Sequence, residues 1–158
     1  MSETTARHDA DAETAAEIRR HHAVMVADLD RLSAALVDAA ETGGDAAPAR
    51  TALTEWIAAV LVPHAAHEEE STYPAAARLA EGRLLIAAMV AEHELIRGFA
   101  GKVASTENPA AAGAYARALF ETFSGHQRKE NDHILPLLVD DPSASLTDLM
   151  AGPHGHHH

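Results

Sequence analysis

Two stretches of the chain share one spacing: a histidine, a glutamate four residues later and a proline ten residues later. The first stretch contains His64, Glu68 and Pro74, and the second contains His126, Glu130 and Pro136. Residues four apart lie one above the other on an α-helix, so each stretch presents an imidazole and a carboxylate to the same neighbour. The repeat therefore predicts two similar helices, each within its own helical hairpin, that face a common centre.

The spacing of apolar residues predicts four long helices. Ile18, Met25, Leu29 and Leu32 recur at steps of three, four and seven, which is the pattern of one helical face. We expect the helices to cover about 11–41, 47–77, 84–103 and 108–139, with a kink at Pro63, a chain turn at "AEGR" and a short last turn at 145–150.

These elements predict an all-α fold, an antiparallel up-down-up-down four-helix bundle with a short C-terminal helix. The composition agrees, because 47% of the residues are hydrophobic but only 4% are aromatic, which favours closely packed helices over a sheet. We assign the bundle to residues 11–140, and the short terminal helix and His-rich tail to residues 141–158.

The first and third helices each add one histidine, His22 and His93, followed by a matching set of apolar residues. At about 1.5 Å per residue, His22 and His64 lie at similar distances from the first turn, and Glu68 and His93 from the second. The same measure brings His126 to the level of His93. All six residues are therefore expected to meet in one layer of the core.

Four imidazoles and two carboxylates in a core are costly unless they are paired, and bound cations would pair them. The chain has no cysteine, so any metal must be held by nitrogen and oxygen atoms. Such donors suit iron or manganese, with zinc as an alternative, and two glutamates suit two adjacent ions. We interpret the six residues as a binuclear centre, with iron as the metal.

The same residues resemble the haemerythrin-like, or HHE cation-binding, family over about residues 15–140. "HAAHEEESTYP" is similar to the motif of the family's second helix and "EHELIRGF" to that of its third. The resemblance implies that Glu68 and Glu130 bridge two iron ions, with an oxo or hydroxo bridge, while the four histidines are terminal ligands. It also implies that O2, NO or peroxide binds there.

The chain departs from the oxygen carriers of this family at one place, since Arg97 stands where they have a fifth histidine. The remaining ligand set is similar to that of the repair-of-iron-centres proteins. Short mycobacterial haemerythrin-like proteins provide a second resemblance, in which a tyrosine before the proline is a ligand and Tyr73 matches it. Tyr73 lies about 140° around the helix from Glu68, so direct ligation requires a distorted helix.

Other residues near the repeat have less defined roles. His67 is a further candidate at the centre because it lies three residues from His64, although a surface position fits it as well. Glu69 and Glu70 are expected to be solvated. The tail "GPHGHHH" has a composition that binds transition metals whatever the fold.

The formal charge of −12 argues against nucleic acid and anionic membranes as partners. No long apolar run or signal segment is present in the sequence, so a cytoplasmic protein, monomeric or weakly dimeric, is expected.

The predicted function is a non-haem di-iron protein in oxidative or nitrosative stress or iron handling. Oxygen binding, peroxide dismutation, nitric oxide chemistry and iron donation would use the same six ligands, so the sequence leaves enzymatic turnover open. The alternative is a metal-loaded sensor or an interaction bundle without turnover. A ferritin-like centre fits less well, because only Glu130 and His133 show the Glu-x-x-His spacing that it needs twice.

Overall fold

The computed structural model describes residues 2–152, and this part of the chain contains helices and their connections but no strand. The helices are α1 (Glu3–Glu41), α2 (Ala47–Trp56), α3 (Val62–Glu70), α4 (Thr72–Ala77), α5 (Ala80–Ser105), α6 (Pro109–Lys129), α7 (Leu135–Val139) and α8 (Leu146–Met150). Two π-helical segments, Ile57–Leu61 and Glu130–Ile134, join α2 to α3 and α6 to α7. The all-α prediction is confirmed for the described residues.

Helix α1 packs along α6 and α7 over much of its length. The Nε2 atom of His8 lies 3.3 Å from the Asp140 carboxylate, and Arg19 donates a hydrogen bond to the carbonyl of Asn131. Near the other end of α1, Arg117 pairs with Asp30 at 2.9 Å. Residue numbers rise along α1 as they fall along its partner, so this pair is antiparallel. The complete up-down-up-down order stays a prediction.

Helix ends follow the capping signals of the sequence in part. Asn108 caps α6, as predicted, because its side chain accepts a hydrogen bond from the backbone of Ala111. Helix α1, however, begins at Glu3 and not at residue 11, since Ser2 caps it in the same way. Helix α5 begins at Ala80, so the "AEGR" segment lies in its first turn and the chain turns just before it.

The predicted second helix is divided into three parts, and two of its three prolines, Pro63 and Pro74, explain where. Pro63 has no amide hydrogen to donate to the carbonyl four residues back, and the turn before it is a π turn, closed by a bond from Val62 to the carbonyl of Ile57. Pro74 likewise has no amide hydrogen to donate to the carbonyl four residues back. Before it, the helix breaks at Ser71, whose φ and ψ are −122° and −83° and whose hydroxyl bonds to the carbonyl of His67.

The fourth helix accommodates the proline of its repeat without a break. Its proline, Pro136, follows the second π segment, in which Leu135 donates to the carbonyl of Glu130. The two copies of the repeat therefore differ in backbone, with a break after Glu68 and a wider turn after Glu130.

Two apolar clusters fill the bundle, and they lie on either side of the layer that holds the repeat. Met25, Ile96 and Phe123 belong to one cluster, whereas Ala15, Met89 and Ile134 belong to the other. On α1, α5 and the fourth helix the candidate ligands fall between these positions in the chain. Among the described residues, no helix is long and apolar enough to cross a membrane.

Replacing Gly82 by alanine is expected to destabilise the protein by about 2–3 kcal/mol. A Cβ atom there would overlap the carbonyl oxygen of Ala76 and lie 2.7 Å from its carbon, so backbone would have to move. Gly98 lies on the same helix with nothing within 4 Å of such an atom, and Gly98→Ala should stabilise by about 1 kcal/mol through helix propensity. Urea unfolding of both variants measures the difference, and equal effects would contradict the close approach of α4 to α5.

Candidate metal centre

All six residues singled out by the repeat and its neighbours come together in the core. They form two groups in which every potential ligand atom lies within 4.8 Å of the others. The first group is His22, His64, Glu68 and Glu130, and the second is Glu68, His93, His126 and Glu130. The two carboxylates belong to both groups, and among the six residues only His64 is not fully buried.

Each carboxylate directs one oxygen to each group. Oε2 of Glu68 lies 3.3 Å from Nε2 of His64, while Oε1 lies 3.4 Å from Nε2 of His93. Oε2 of Glu130 lies 3.5 Å from His22, while Oε1 lies 2.9 Å from His126. This is the arrangement that two bridging carboxylates need between a pair of cations.

Hydrogen bonds on the outer side of the rings fix their orientation. Nδ1 of His93 lies 2.8 Å from Glu69, and Nδ1 of His126 lies 2.7 Å from Glu92. Carboxylate oxygens only accept, so both Nδ1 atoms donate and each ring turns its Nε2 atom to the centre. Nδ1 of His22 bonds the side-chain oxygen of Asn131 at 2.7 Å in the same manner.

Four atoms that face the centre have no hydrogen-bond partner within the described part of the protein. They are Nε2 of His22 and His64, Oε1 of Glu68 and Oε2 of Glu130. A buried polar atom without a partner costs about 1–3 kcal/mol, and more where it carries charge. All four are nitrogen or oxygen lone-pair donors, so the residues present fit a bound metal and a metal would remove this cost.

Burial also sets the protonation of the two shared carboxylates. Burial and the neighbouring Glu130 raise the pKa of Glu68 well above its usual range. Burial would raise the pKa of Glu130 too, but the hydrogen bond from Glu68, together with the neighbouring His126, outweighs it and holds that pKa below its usual value. In the absence of a cation, Glu68 is therefore the protonated member of the pair.

The histidines of the first group are neutral. Burial lowers the pKa of His22 to about 4, although Glu130 and Asn131 act in the opposite direction. Burial likewise lowers the pKa of His64. A metal competes with protons for these nitrogens, so neutral imidazoles at physiological pH favour metal binding.

The break at Ser71 carries Tyr73 to the centre. Its side chain is buried, and its hydroxyl donates to Oε1 of Glu130 at 2.6 Å. The hydroxyl oxygen of Tyr73 also lies 3.2 Å from Nε2 of His93 and 3.0 Å from Nε2 of His126. The distortion that the sequence required for this residue is present, and it puts the phenol oxygen beside the second group.

Several predicted or unexpected residues complete the surroundings. His67 is half-buried and belongs to neither group. Glu69 was expected to be solvated; 30% of its side chain is accessible, but its carboxylate also bonds His93 and Arg97. Burial would raise the pKa of Glu69, but these two bonds lower it. Glu70 is exposed, as expected.

Glu92 and Asn131, the partners of His126 and His22, had no role in the sequence prediction. Glu92 also bonds Lys129, and the bonds from Lys129 and His126 hold its pKa below the usual value against the effect of burial. The adjacent Glu92 and His93 could have indicated this contact. Residues one apart face different neighbours on a helix, so Glu92 can reach a histidine on another helix while His93 faces the centre. The His-rich tail, from residue 153 onwards, lies outside the described residues.

Comparison with protein families supports the geometry. The model of the hemerythrin HHE cation-binding domain matches residues 7–138, which is most of the chain and includes every residue of both groups. No curated protein and no solved structure matches the chain in the corresponding comparisons. A domain of this kind binds metal cations, typically iron. The chain therefore belongs to the hemerythrin HHE cation-binding family.

Proposed function

We propose that the protein is a non-haem di-iron protein that binds O2, NO or peroxide at a centre held by His22, His64, Glu68, His93, His126 and Glu130. The observation that carries this proposal is the set of buried, inward-facing lone pairs on imidazole nitrogens and carboxylate oxygens without hydrogen-bond partners among the described residues. The proposal includes the up-down-up-down order of the helices, which would carry one histidine on each.

Two iron ions would supply accessible redox states and coordination positions for a small ligand. The protein would contribute the terminal imidazoles, and Glu68 and Glu130 would lie between the ions, each with one oxygen towards either side. Glu69, Glu92 and Asn131 would hold three of the rings in the metal-binding tautomer.

Tyr73 is a further proposed ligand, or otherwise a hydrogen-bond donor to whatever occupies the second group. The phenol oxygen lies 3.2 Å from Nε2 of His93 and 3.0 Å from Nε2 of His126, so one cation could be held by all three atoms. Burial, Glu68 and Glu130 raise the pKa of Tyr73, so in the metal-free protein the phenol keeps its proton. Ligation would require a cation to displace that proton.

The apolar clusters on either side of the layer would shield the second group from bulk water, which suits small reactive ligands. A protein that binds O2, NO or peroxide in this way would act in oxidative or nitrosative stress or in iron handling. His67 is not included in the proposed ligand set, because it lies in neither group of ligand atoms.

Iron quantification with visible spectra tests the proposal. We expect about two iron ions per chain, and a spectrum that changes when O2, NO or hydrogen peroxide is added to the reduced or oxidised protein. Tyr73→Phe should keep the iron and lose any absorption that arises from a phenolate bond. A purified protein that takes up no iron, or whose iron spectrum ignores all three ligands, would contradict the proposal.

A further inference from the structure

One side of the candidate centre opens to a cleft of about 550 Å3 between α1, the first π segment and α8. This volume lies within the range of about 300–1,000 Å3 that is usual for sites of small organic molecules. Dioxygen, nitric oxide and hydrogen peroxide need far less space. The cleft is therefore larger than the proposed ligands of the centre require.

The walls and the floor of the cleft differ in chemistry. The walls are mainly apolar, with Ile18, Val60, Ile134, Leu135 and Met150, and the polar residues Thr14, Glu17, His21 and His67 complete them. The floor consists of His22, His64, Glu68 and Glu130, which are the members of the first group, while His93 and His126 of the second group do not line the cleft. His64 is also the most exposed of the four histidines, with 16% of its side chain accessible.

Thr72 adds a polar contact beside the floor. Its side chain lines the cleft and the residue is only 7% exposed. Its hydroxyl makes no hydrogen bond to another residue that the structure describes. A ligand in the cleft can therefore accept a hydrogen bond from this hydroxyl close to the first group.

We propose that the cleft binds an organic molecule with an apolar chain and an anionic oxygen head group. The chain lies between Ile18, Val60 and Met150, and the head group reaches the first group beside Thr72. The inference rests on the proposed function, because a metal ion held by the first group would take an anionic oxygen as a ligand. Glu17 at the rim opposes an anion, but it is exposed and its effect is screened by salt.

Titration calorimetry of the iron-loaded protein with octanoate, acetate and octanol tests this. Each buried methylene group contributes about a fourfold gain in affinity, so burial of about half of the extra chain gives octanoate about a 60-fold advantage over acetate. Octanol, which lacks the anionic head, should bind at least about tenfold more weakly than octanoate. Equal affinity for octanoate and acetate, or for octanoate and octanol, would overturn the proposal.

Two variants that fill the cleft distinguish binding of octanoate in the cleft from binding elsewhere on the surface. Val60→Trp and Met150→Trp should each reduce the advantage of octanoate over acetate to below about fivefold, with iron content and acetate binding unchanged. Leu84→Trp, at an exposed position on α5 that lines no part of the cleft, is the matched control and should keep the advantage. Retention of the advantage in both cleft variants would overturn the proposal, and Met150→Trp decides if Val60→Trp does not fold.

Iron content, measured first, distinguishes the two failures. A chain that takes up no iron contradicts the proposed function itself. An iron-loaded chain without a chain-length effect contradicts the cleft alone. Octanoate that binds equally well to the metal-free protein shows that the head group does not depend on the centre, and this also overturns the inference.

Discussion

Replacement of Glu68 or Glu130 by glutamine is expected to lower the iron content of the purified protein to below about one ion per chain. Glutamine keeps the shape of the side chain but replaces one carboxylate oxygen by an NH2 group, which has no lone pair for a metal. Because each carboxylate faces both groups of ligand atoms, one substitution should weaken both positions at once. Iron quantification after purification in parallel with the wild type is the measurement.

Glu70→Gln is the matched control for this experiment. Glu70 lies on the same helix as Glu68, two residues further on, but it is exposed and belongs to neither group. Its iron content should equal that of the wild type. If all three variants carry the same iron, the carboxylates do not hold the metal and the proposed centre is wrong.

The metal-free Glu68→Gln protein is expected to be more stable than the metal-free wild type at pH 8, by several kcal/mol. Burial and Glu130 raise the pKa of Glu68 well above its usual value of 4.5. A group whose pKa is raised on folding contributes stability below its unfolded pKa and loses it as the pH rises through the folded pKa. The advantage of glutamine should therefore grow as the pH rises from 4.5 and should be small below it.

Bound iron should reverse the order of stability, so that the wild type is more stable than the Glu68→Gln protein. The wild type gains stability when a cation binds its folded state alone, whereas the glutamine variant binds the cation weakly and gains little. Urea unfolding at pH 5 and pH 8, with iron and after chelation, measures all four conditions. A glutamine variant that is less stable than the wild type without metal would mean that Glu68 is not buried at an energetic cost.

Helical spacing predicted which residues meet, because the rise per residue fixes the level of a side chain once the turns are known. His22 and His93 were found in this way, although neither belongs to the repeat of histidine, glutamate and proline. The predicted helix ends were less accurate. Ser2 extended the first helix by eight residues through one capping bond, which a search for apolar periodicity does not detect.

The hydrogen bonds around the centre were harder to predict. Glu68 and Glu69 are neighbours in sequence, but they point about 100° apart on the helix, one to the centre and the other to the outer side of His93. The position of Tyr73 depended on a break in the helix at Ser71. Pro63, Pro74 and Pro136 all interrupt a helix, yet one interruption became a break and two became π turns. A proline in the sequence therefore indicates an interruption but does not show which of the two forms it takes.

The chains of charge behind His93 and His126 have a consequence for the centre. Each ring bonds a carboxylate that pairs with a cation, Arg97 in one case and Lys129 in the other. Both cations are about 40% exposed, with 39% and 43% of their side chains accessible. Dissolved salt screens charges over about 8 Å at physiological ionic strength. Salt that screens Arg97 and Lys129 thus changes the charge that Glu69 and Glu92 present to the two buried rings. The ionic strength of the solution can therefore affect His93 and His126 although neither ion nor water reaches them.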